Sequence, residues 1–233
     1  MIAAVLLDFG GTLDGDGLHW LDRFRAIYAG CDEIAVSPVQ LKDAFYEADR
    51  QLEADPTIGA CGFAEMMRRH AVWQLRHLGI ESEALTSRLA REFGGPARAA
   101  LQRNRILLER LRGEGYRLGV VSNFYGNVAS LCEEAGLLPL LDVVVDSAVA
   151  GVRKPDPAIF RAALGGLGVT AHETVMVGDS FDRDVRPAHA MGMRTLWLAP
   201  GGAHRCPDPA LVDGVIESLT EVPERLAAWG RPQ

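Results

Sequence analysis

Beyond residue 97 the sequence alternates short apolar runs with helical segments, and this alternation constrains the fold more than any other feature. The runs are rich in Val and Leu, and polar residues do not alternate with the apolar ones. Strands of this kind are buried on both faces, which is typical of a parallel sheet covered by crossover helices. The predicted strands are 116–121, 141–145, 174–177 and 195–198, and the predicted helices are 97–112, 128–135, 157–167 and 183–191.

A further apolar run at residues 4–7 stands apart, because helical periodicity fills the sequence between it and the alternating region. We therefore predict an α/β protein with a doubly wound parallel sheet, whose Rossmann-like core is formed by residues 1–14 and 97–233. Residues 15–96 are predicted to form a helical cap inserted after the first strand. The motif Gly94-Gly95-Pro96 is predicted to break the helical pattern and to link the cap to the core.

Composition argues against several classes of function. With 233 residues, of which 48% are hydrophobic and 24% charged, the chain has the make-up of an ordinary globular protein with one core. Its net charge of -7 disfavours nucleic acid and anionic membranes as partners. No run approaches the ~18 apolar residues of a membrane span, and the first residues lack the basic region of a signal peptide.

The cysteines and histidines show no spacing that is typical of metal ligands or of a disulfide framework. We predict reduced thiols in a cytoplasmic protein, either a monomer or a homodimer. The cysteines are Cys31, Cys61, Cys132 and Cys206, and the histidines predicted to be structural or exposed are His70, His172, His189 and His204.

The first strand ends in Asp8, which is followed by a tight turn. An Asp at the carboxyl edge of a parallel strand lies in the crevice where open α/β sheets bind ligands. Gly10 and Gly11 in the turn let a bound anion approach the backbone. An Asp that only caps a turn is the alternative interpretation.

Two further predicted strands are followed by polar residues. Ser122 and Asn123 stand at the start of a helix, where free N–H groups help to hold an anion, although capping of the helix explains the same pair. Lys154, next to Pro155, is one of only two lysines in the chain, and Lys42 is the other. A compact point charge in this place suggests a phosphate or carboxylate ligand, and a solvated loop is the alternative.

The fourth cluster places three carboxylates, Asp179, Asp182 and Asp184, directly after a buried strand. Such close carboxylates repel one another unless a cation offsets their charge. Oxygen ligands without His or Cys suit Mg²⁺, which binds one or two carboxylates together with substrate phosphate. An acidic solvated turn or helix capping would also explain the cluster.

Together these motifs resemble the haloacid dehalogenase superfamily, with the cap position of its C1 subclass. The resemblance implies that Asp8 is the nucleophile, that the Ser122 hydroxyl binds the transferred group and that Lys154 neutralises charge. The motifs are the hydrophobic-Asp-x-x-Gly-Thr-Leu start, Ser122-Asn123, Lys154-Pro155 and Gly178-Asp179 through Asp184.

The same resemblance implies Mg²⁺ as cofactor and a small phosphorylated molecule as substrate. The phosphoryl group would be transferred to Asp8 and then released by water. The implied metal ligands are Asp8, the backbone carbonyl of Gly10, Asp179 and Asp184, with Asp182 as a further supporting residue. The residues expected to contact the substrate are Thr12, Asn123, Tyr125 and Asn127.

One position departs from the phosphatases of this superfamily, which carry a second Asp two residues after the nucleophile, where this chain has Gly10. That Asp is a general acid and base, a function typically worth ~10²–10⁴-fold. In a first interpretation the chain is a phosphatase in which this function is absent, filled by water, or taken by Asp14 or Asp16. Acyl or aryl phosphates, whose leaving groups depart easily, would then be affected least.

Two other interpretations stay open. The chain could hydrolyse a carbon–halogen or a phosphonate bond, although the acidic cluster disfavours the first and the ordinary helical setting of Lys42 the second. It could also be a weakly active protein that binds metal and a phosphate ligand.

In the cap, Trp20 and Trp73 are expected to pack in the interior, and arginines such as Arg23 are expected to be solvated. The alternative is that one of these arginines faces inward and holds a substrate carboxylate.

Overall fold

The computed structural model describes residues 1–31, 33–202 and 206–230, so that His204 lies outside the described residues. Six parallel strands form one sheet in the spatial order β3-β2-β1-β4-β5-β6. The predicted doubly wound α/β fold is confirmed, with the first strand at the centre of the sheet. The strands are β1 (Ala4–Leu7), β2 (Arg117–Ser122), β3 (Val143–Asp146), β4 (Thr174–Gly178), β5 (Arg194–Leu198) and β6 (Gly214–Ile216).

Helices cover both faces of this sheet and fill the segment between β1 and β2. Among the described residues, no helix is both long enough and apolar enough to span a membrane. The helices are α1 (Trp20–Ala29), α2 (Pro38–Glu53), α3 (Phe63–His77), α4 (Glu83–Gly113), α5 (Val128–Glu134), α6 (Ser147–Ala150), α7 (Pro157–Leu167), α8 (Arg186–Ala190) and α9 (Val222–Trp229).

The strand β1 shows why continuous apolar runs lead to this architecture. Val5 and Leu7 pack into the core on one face of the sheet, whereas Ala4 and Leu6 pack into the core on the other. All four residues are fully buried. A strand with apolar neighbours on both faces needs no polar alternation, which is the pattern that the sequence shows.

The helices α1 to α4 pack on one another, and the later part of α4 also packs against β2. Phe24 of α1 stacks on His70 of α3 and on Phe93 of α4, with ring centroids 5.2 and 4.6 Å apart. Local signals start the helices, since Ser37 and Gln40 form a capping box at α2 and Ser82 caps α4. These helices therefore share an aromatic core, against which the candidate site is built.

The predicted break at Gly94-Gly95-Pro96 is wrong, because α4 runs without interruption from Glu83 to Gly113. Pro96 lacks an N–H and its ring opposes the carbonyl of Glu92, four residues earlier, so this turn of the helix loses a backbone hydrogen bond. Arg23 adds a bond from outside the helix at the neighbouring residue, since its Nη2 donates to the carbonyl oxygen of Phe93 over 3.0 Å. The division of the chain into cap and core near residue 97 stays a prediction.

Candidate active site

The Asp8 carboxylate lies at the end of β1 and is 6% exposed. Ser122 Oγ and Lys154 Nζ both donate to its Oδ1, over 2.8 and 2.7 Å. Within the described residues, Oδ2 of Asp8 accepts no hydrogen bond. Two donors thus hold one oxygen of the carboxylate and leave the other available to bind a ligand or to attack it. The same two bonds bring together the three predicted catalytic residues.

The turn after Asp8 brings Thr12 to Asp179. Thr12 Oγ1 donates to Asp179 Oδ1 over 3.2 Å and accepts from the Asp179 backbone N–H over 3.1 Å. Gly11 has a φ of +87°, and a Cβ there would lie 2.6 Å from Asp179 Oδ2. Only glycine therefore suits position 11. The Thr12 hydroxyl, which was predicted to contact substrate, is hydrogen-bonded to Asp179 instead.

Three carboxylates meet at the edge of the sheet. One oxygen each of Asp8, Asp179 and Asp184 lies within 4.8 Å of the other two. Asp184 accepts from Lys154 Nζ over 2.6 Å and from the Ser180 N–H over 3.1 Å. Asp182, the further residue implied by the resemblance, points away and pairs with Arg186 over 3.1 Å.

Charge at this triad is unbalanced, since among the described residues Lys154 is the one cation that pairs with it. Burial raises the pKa of Asp179 well above its ordinary value, and the charges of Asp8 and Asp184 raise it further. Burial also raises the pKa of Asp184 to about 6, against the attraction of Lys154. Burial alone would lower the pKa of Lys154, but Asp184 and Asp8 outweigh it and raise that pKa. A buried oxygen cluster with excess negative charge fits a hard divalent cation such as Mg²⁺.

Asn123, predicted to contact substrate, is bonded to the backbone of Lys154. Its Nδ2 donates to the Lys154 carbonyl over 2.9 Å, and its Oδ1 accepts from the Lys154 N–H over 2.7 Å. These bonds join the loop after β2 to the loop that carries the lysine. A contact between Asn123 and substrate stays a prediction.

The structure separates Tyr125 from Asn127. Tyr125 lines the cavity above the triad and donates its hydroxyl to Asp49 of α2. Gly126, with a φ of +104°, turns the chain, and Asn127 then donates to the Cys61 carbonyl over 3.1 Å, away from the cavity. The structure thus brings Tyr125 to the site and does not bring Asn127 there.

Neither Asp14 nor Asp16 takes the place of the carboxylate that Gly10 lacks. Asp14 is buried and accepts from the Gly11 N–H and from Trp20 Nε1, both over 2.7 Å, and Arg23 lies 3.3 Å from it. Asp16 pairs with Arg103. The side chains of both residues lie outside the set that lines the cavity.

The cavity above Asp8 measures about 350 Å³ and opens between the sheet edge and α2. Sequence reasoning missed the part of its wall that α2 provides. The spacing of the residues involved, Tyr46, Asp49, Arg50 and Glu53, places them on one face of the helix. A polar face that meets only solvent has the same spacing, so the sequence does not distinguish the two. The lining residues are Asp8, Gly10, His19, Trp20, Phe45, Tyr46, Asp49, Arg50, Glu53, Ser122, Asn123, Phe124, Tyr125, Arg153, Lys154, Asp179, Ser180, Arg183 and Asp184.

Several known proteins are similar to this chain. Haloacid dehalogenase-like hydrolase domain-containing protein 3 from Danio rerio is 29% identical over 204 residues, which cover 83% of this chain and 84% of that protein. Glyceraldehyde 3-phosphate phosphatase from Pyrococcus abyssi is 40% identical over 100 residues, or 42% of this chain and 41% of that protein. The crystal structure of 2-haloacid dehalogenase from Pseudomonas syringae pv. Tomato DC3000 is 27% identical with a TM-score of 0.57, and the match covers 99% of this chain and 100% of that one.

A family model, described as a hydrolase of haloacid dehalogenase-like type, matches residues 2–192. That range contains β1, the helical segment and each of the four strand ends at the site. This chain therefore belongs to the haloacid dehalogenase-like hydrolase family and is an enzyme of that family.

Proposed function

We propose that this protein is a Mg²⁺-dependent phosphatase that acts on a small phosphorylated metabolite through an aspartyl-phosphate at Asp8. The observation that carries the proposal is the state of the Asp8 carboxylate. Ser122 and Lys154 hold Oδ1, whereas Oδ2 accepts no bond within the described residues and the carboxylate lines the cavity. The phosphatase from Pyrococcus abyssi supports the same reaction class.

The residues present fit a magnesium ion. Asp8, Asp179 and Asp184 offer close carboxylate oxygens, and the Gly10 carbonyl belongs to the adjoining turn. When bound, Mg²⁺ supplies positive charge that lets an anionic phosphoryl group approach these carboxylates. Thr12 holds Asp179 and Ser180 holds Asp184 in place for such an ion.

In the proposed reaction, Oδ2 of Asp8 forms a bond to phosphorus while the bond between phosphorus and the leaving oxygen breaks, and that oxygen takes a proton from solvent. Lys154 offsets the negative charge, and its position is set by Asn123. Water then attacks phosphorus, the bond to Asp8 breaks, and inorganic phosphate leaves. One difficult displacement is divided into two easier ones.

A second candidate is hydrolysis of a carbon–halogen bond, favoured by Gly10 and by the likeness to the Pseudomonas syringae dehalogenase. The triad argues against it. A carboxylate that attacks a neutral haloacid carbon needs no cation, whereas this site holds two further carboxylates beside the nucleophile. Phosphoryl transfer explains those carboxylates and the halide reaction does not.

The test measures phosphate release from a panel of alkyl, aryl and acyl phosphates, with Mg²⁺ and with EDTA. We expect release that requires Mg²⁺ and is abolished in Asp8→Asn. Asp22→Asn is the matched control, because it neutralises an exposed carboxylate that pairs with Arg25 on the surface of α1. Halide release from 2-haloacids that is indifferent to EDTA, without phosphate release, would overturn the proposal.

A further inference from the structure

The proposed reaction needs a proton-accepting group on a particular side of the phosphoryl group. Attacking and leaving oxygens lie roughly in line through phosphorus during transfer. With Asp8 on the core side, the water that hydrolyses the aspartyl-phosphate must approach from the opposite wall of the cavity. That wall is formed by α2 and by residues that flank it.

Three groups near that wall are poorly suited to accept a proton. His19 Nδ1 accepts from the Leu21 N–H over 3.2 Å, so the neutral ring carries its proton on Nε2. Tyr125 already donates its hydroxyl to Asp49, and burial raises its pKa well above 10. Glu53 pairs with Arg153 over 3.1 Å.

Asp49 has the geometry that those groups lack. The Tyr125 hydroxyl and His70 Nε2, the latter at 3.2 Å, both bond to its Oδ1. Gln74 Nε2 lies 2.7 Å from His70 Nδ1, which places the histidine proton on Nε2, where it faces Asp49. Within the described residues, Asp49 Oδ2 accepts no hydrogen bond, and this carboxylate, 24% exposed, lines the cavity.

The network also connects elements that must come together for the site to be complete. Asp49 lies on α2, His70 and Gln74 lie on α3, and Tyr125 belongs to the loop after β2. The phenol from the core loop therefore orients the carboxylate only when α2 lies against that loop. An oriented carboxylate with one free oxygen is the arrangement of a preorganised base.

We infer that Asp49 is the general base for the second half of the proposed reaction. As the water oxygen bonds to phosphorus, Asp49 Oδ2 takes one of its protons and the bond between phosphorus and Asp8 breaks. Inorganic phosphate and the free Asp8 carboxylate result, and the proton passes to solvent. The inference rests on the proposed function and names the residue that carries part of the role missing at Gly10.

The experiment follows both half-reactions with p-nitrophenyl phosphate and Mg²⁺. Rapid mixing records p-nitrophenolate, and acid quenching followed by mass spectrometry records phosphate bound to the protein. In Asp49→Asn we expect one equivalent of p-nitrophenolate to appear at about the wild-type rate. Decay of the phosphoenzyme should slow by ~10²–10⁴-fold, the usual range for loss of a general base, so that phosphorylated protein accumulates.

Two further variants complete the design. Asp43→Asn removes an exposed carboxylate from the same helix, outside the set of residues that lines the cavity, and should behave as wild type. Tyr125→Phe removes one donor to Asp49 and should slow the decay by a smaller factor, which keeps the inference testable if Asp49→Asn does not fold.

The outcomes separate this inference from the proposed function. Wild-type decay of the phosphoenzyme in Asp49→Asn, or in Tyr125→Phe when the first variant does not fold, would overturn the assignment of Asp49 and leave the phosphatase intact. Equal slowing of formation and decay, with no accumulation, would also overturn it. Absence of any phosphoenzyme in the wild type, with unchanged turnover in Asp8→Asn, would refute the proposed function itself.

Discussion

Gly10 lies where a side chain would enter the aromatic side of the cavity. Its backbone angles, φ −74° and ψ 118°, are open to any residue. A Cβ there would lie 3.5 Å from Trp20 Nε1 and 3.6 Å from Phe124 Cε2, which are ordinary contacts. The position therefore accepts a larger residue, in contrast to Gly11, where Asp179 fills the space.

Gly10→Asp should consequently fold and add a carboxylate beside the Trp20 indole. If loss of a general acid limits turnover, hydrolysis of alkyl phosphates should rise by up to ~10²-fold and that of aryl phosphates should change little. The comparison of the two substrate classes in one enzyme preparation is the measurement. Equal changes for both classes would argue that the missing acid does not limit the wild type.

Asn123→Ala tests the bonds that hold the lysine loop. Loss of two hydrogen bonds to the Lys154 backbone should lower the free energy of unfolding by about 1–3 kcal/mol. Displacement of the Lys154 ammonium should lower kcat by ~10–10²-fold, since small misplacements of a catalytic group are costly. Urea unfolding and steady-state kinetics measure the two effects.

Thr195→Val is the matched control for this variant. Its hydroxyl donates to the Leu211 carbonyl over 2.9 Å and accepts from the Asp213 N–H over 3.2 Å, and none of these residues lines the cavity. It should lose comparable stability and keep its activity. A similar loss of kcat in both variants would contradict the positioning role of Asn123.

At the scale of elements, α4 is the exception to the local rules of the sequence. Two glycines and a proline in succession ordinarily end a helix, yet α4 continues because tertiary contacts hold it on both sides of Pro96. Gly94 is buried against Phe63 of α3. A Cβ there would lie 4.0 Å from the Phe63 ring, so the contact between the two helices leaves space for a side chain at this position. The Arg23 guanidinium donates a hydrogen bond to the Phe93 carbonyl and also lies 3.7 Å from the centroid of the Phe93 ring.

Pro96→Ala should therefore increase stability. The substitution restores a backbone N–H and removes the ring from the carbonyl of Glu92, with an expected gain of about 1–2 kcal/mol in the free energy of unfolding. Gly95→Ala serves as the reference, because a Cβ there meets nothing within 4 Å and should contribute about 0.5–1 kcal/mol through helix propensity alone. A loss of stability in Pro96→Ala, with a gain in Gly95→Ala, would mean that the proline sets a bend on which the Arg23 contact depends.

For the whole molecule, the sheet and the triad could be predicted from the sequence because one rule governs both. Parallel strands end at one edge, so that Asp8, Ser122 and Asp179 had to meet once the strands were recognised. The short edge strand β6 was missed, since three residues carry too little pattern. The contacts of Asp49 and Arg23 were missed because a polar helix face has the same spacing whether it meets solvent or other residues of the protein.

The triad also links the stability of the whole molecule to pH and to metal. Burial raises the pKa of Asp184 to about 6, although the positive charge of Lys154 lowers it. The folded protein therefore retains a proton that the unfolded chain releases near pH 4. Stability without metal should therefore fall as pH rises through the window from about 4 to about 6. Mg²⁺ binds the ionised carboxylates, so its stabilising effect should grow through the same window.

We expect Mg²⁺ at ten times its Kd to add about 1.4 kcal/mol, or roughly 3–6 °C in Tm, at about pH 7.5, and much less at about pH 5. Asp179→Asn separates charge repulsion from metal binding. It removes one buried negative charge, so without metal it should melt above the wild type at the higher pH, and added Mg²⁺ should shift its Tm little. The measurement is the Tm of both proteins at the two pH values, with Mg²⁺ and with EDTA. An equal Mg²⁺ shift at both pH values, or an undiminished shift in Asp179→Asn, would show that the ion stabilises the protein at some place other than this triad.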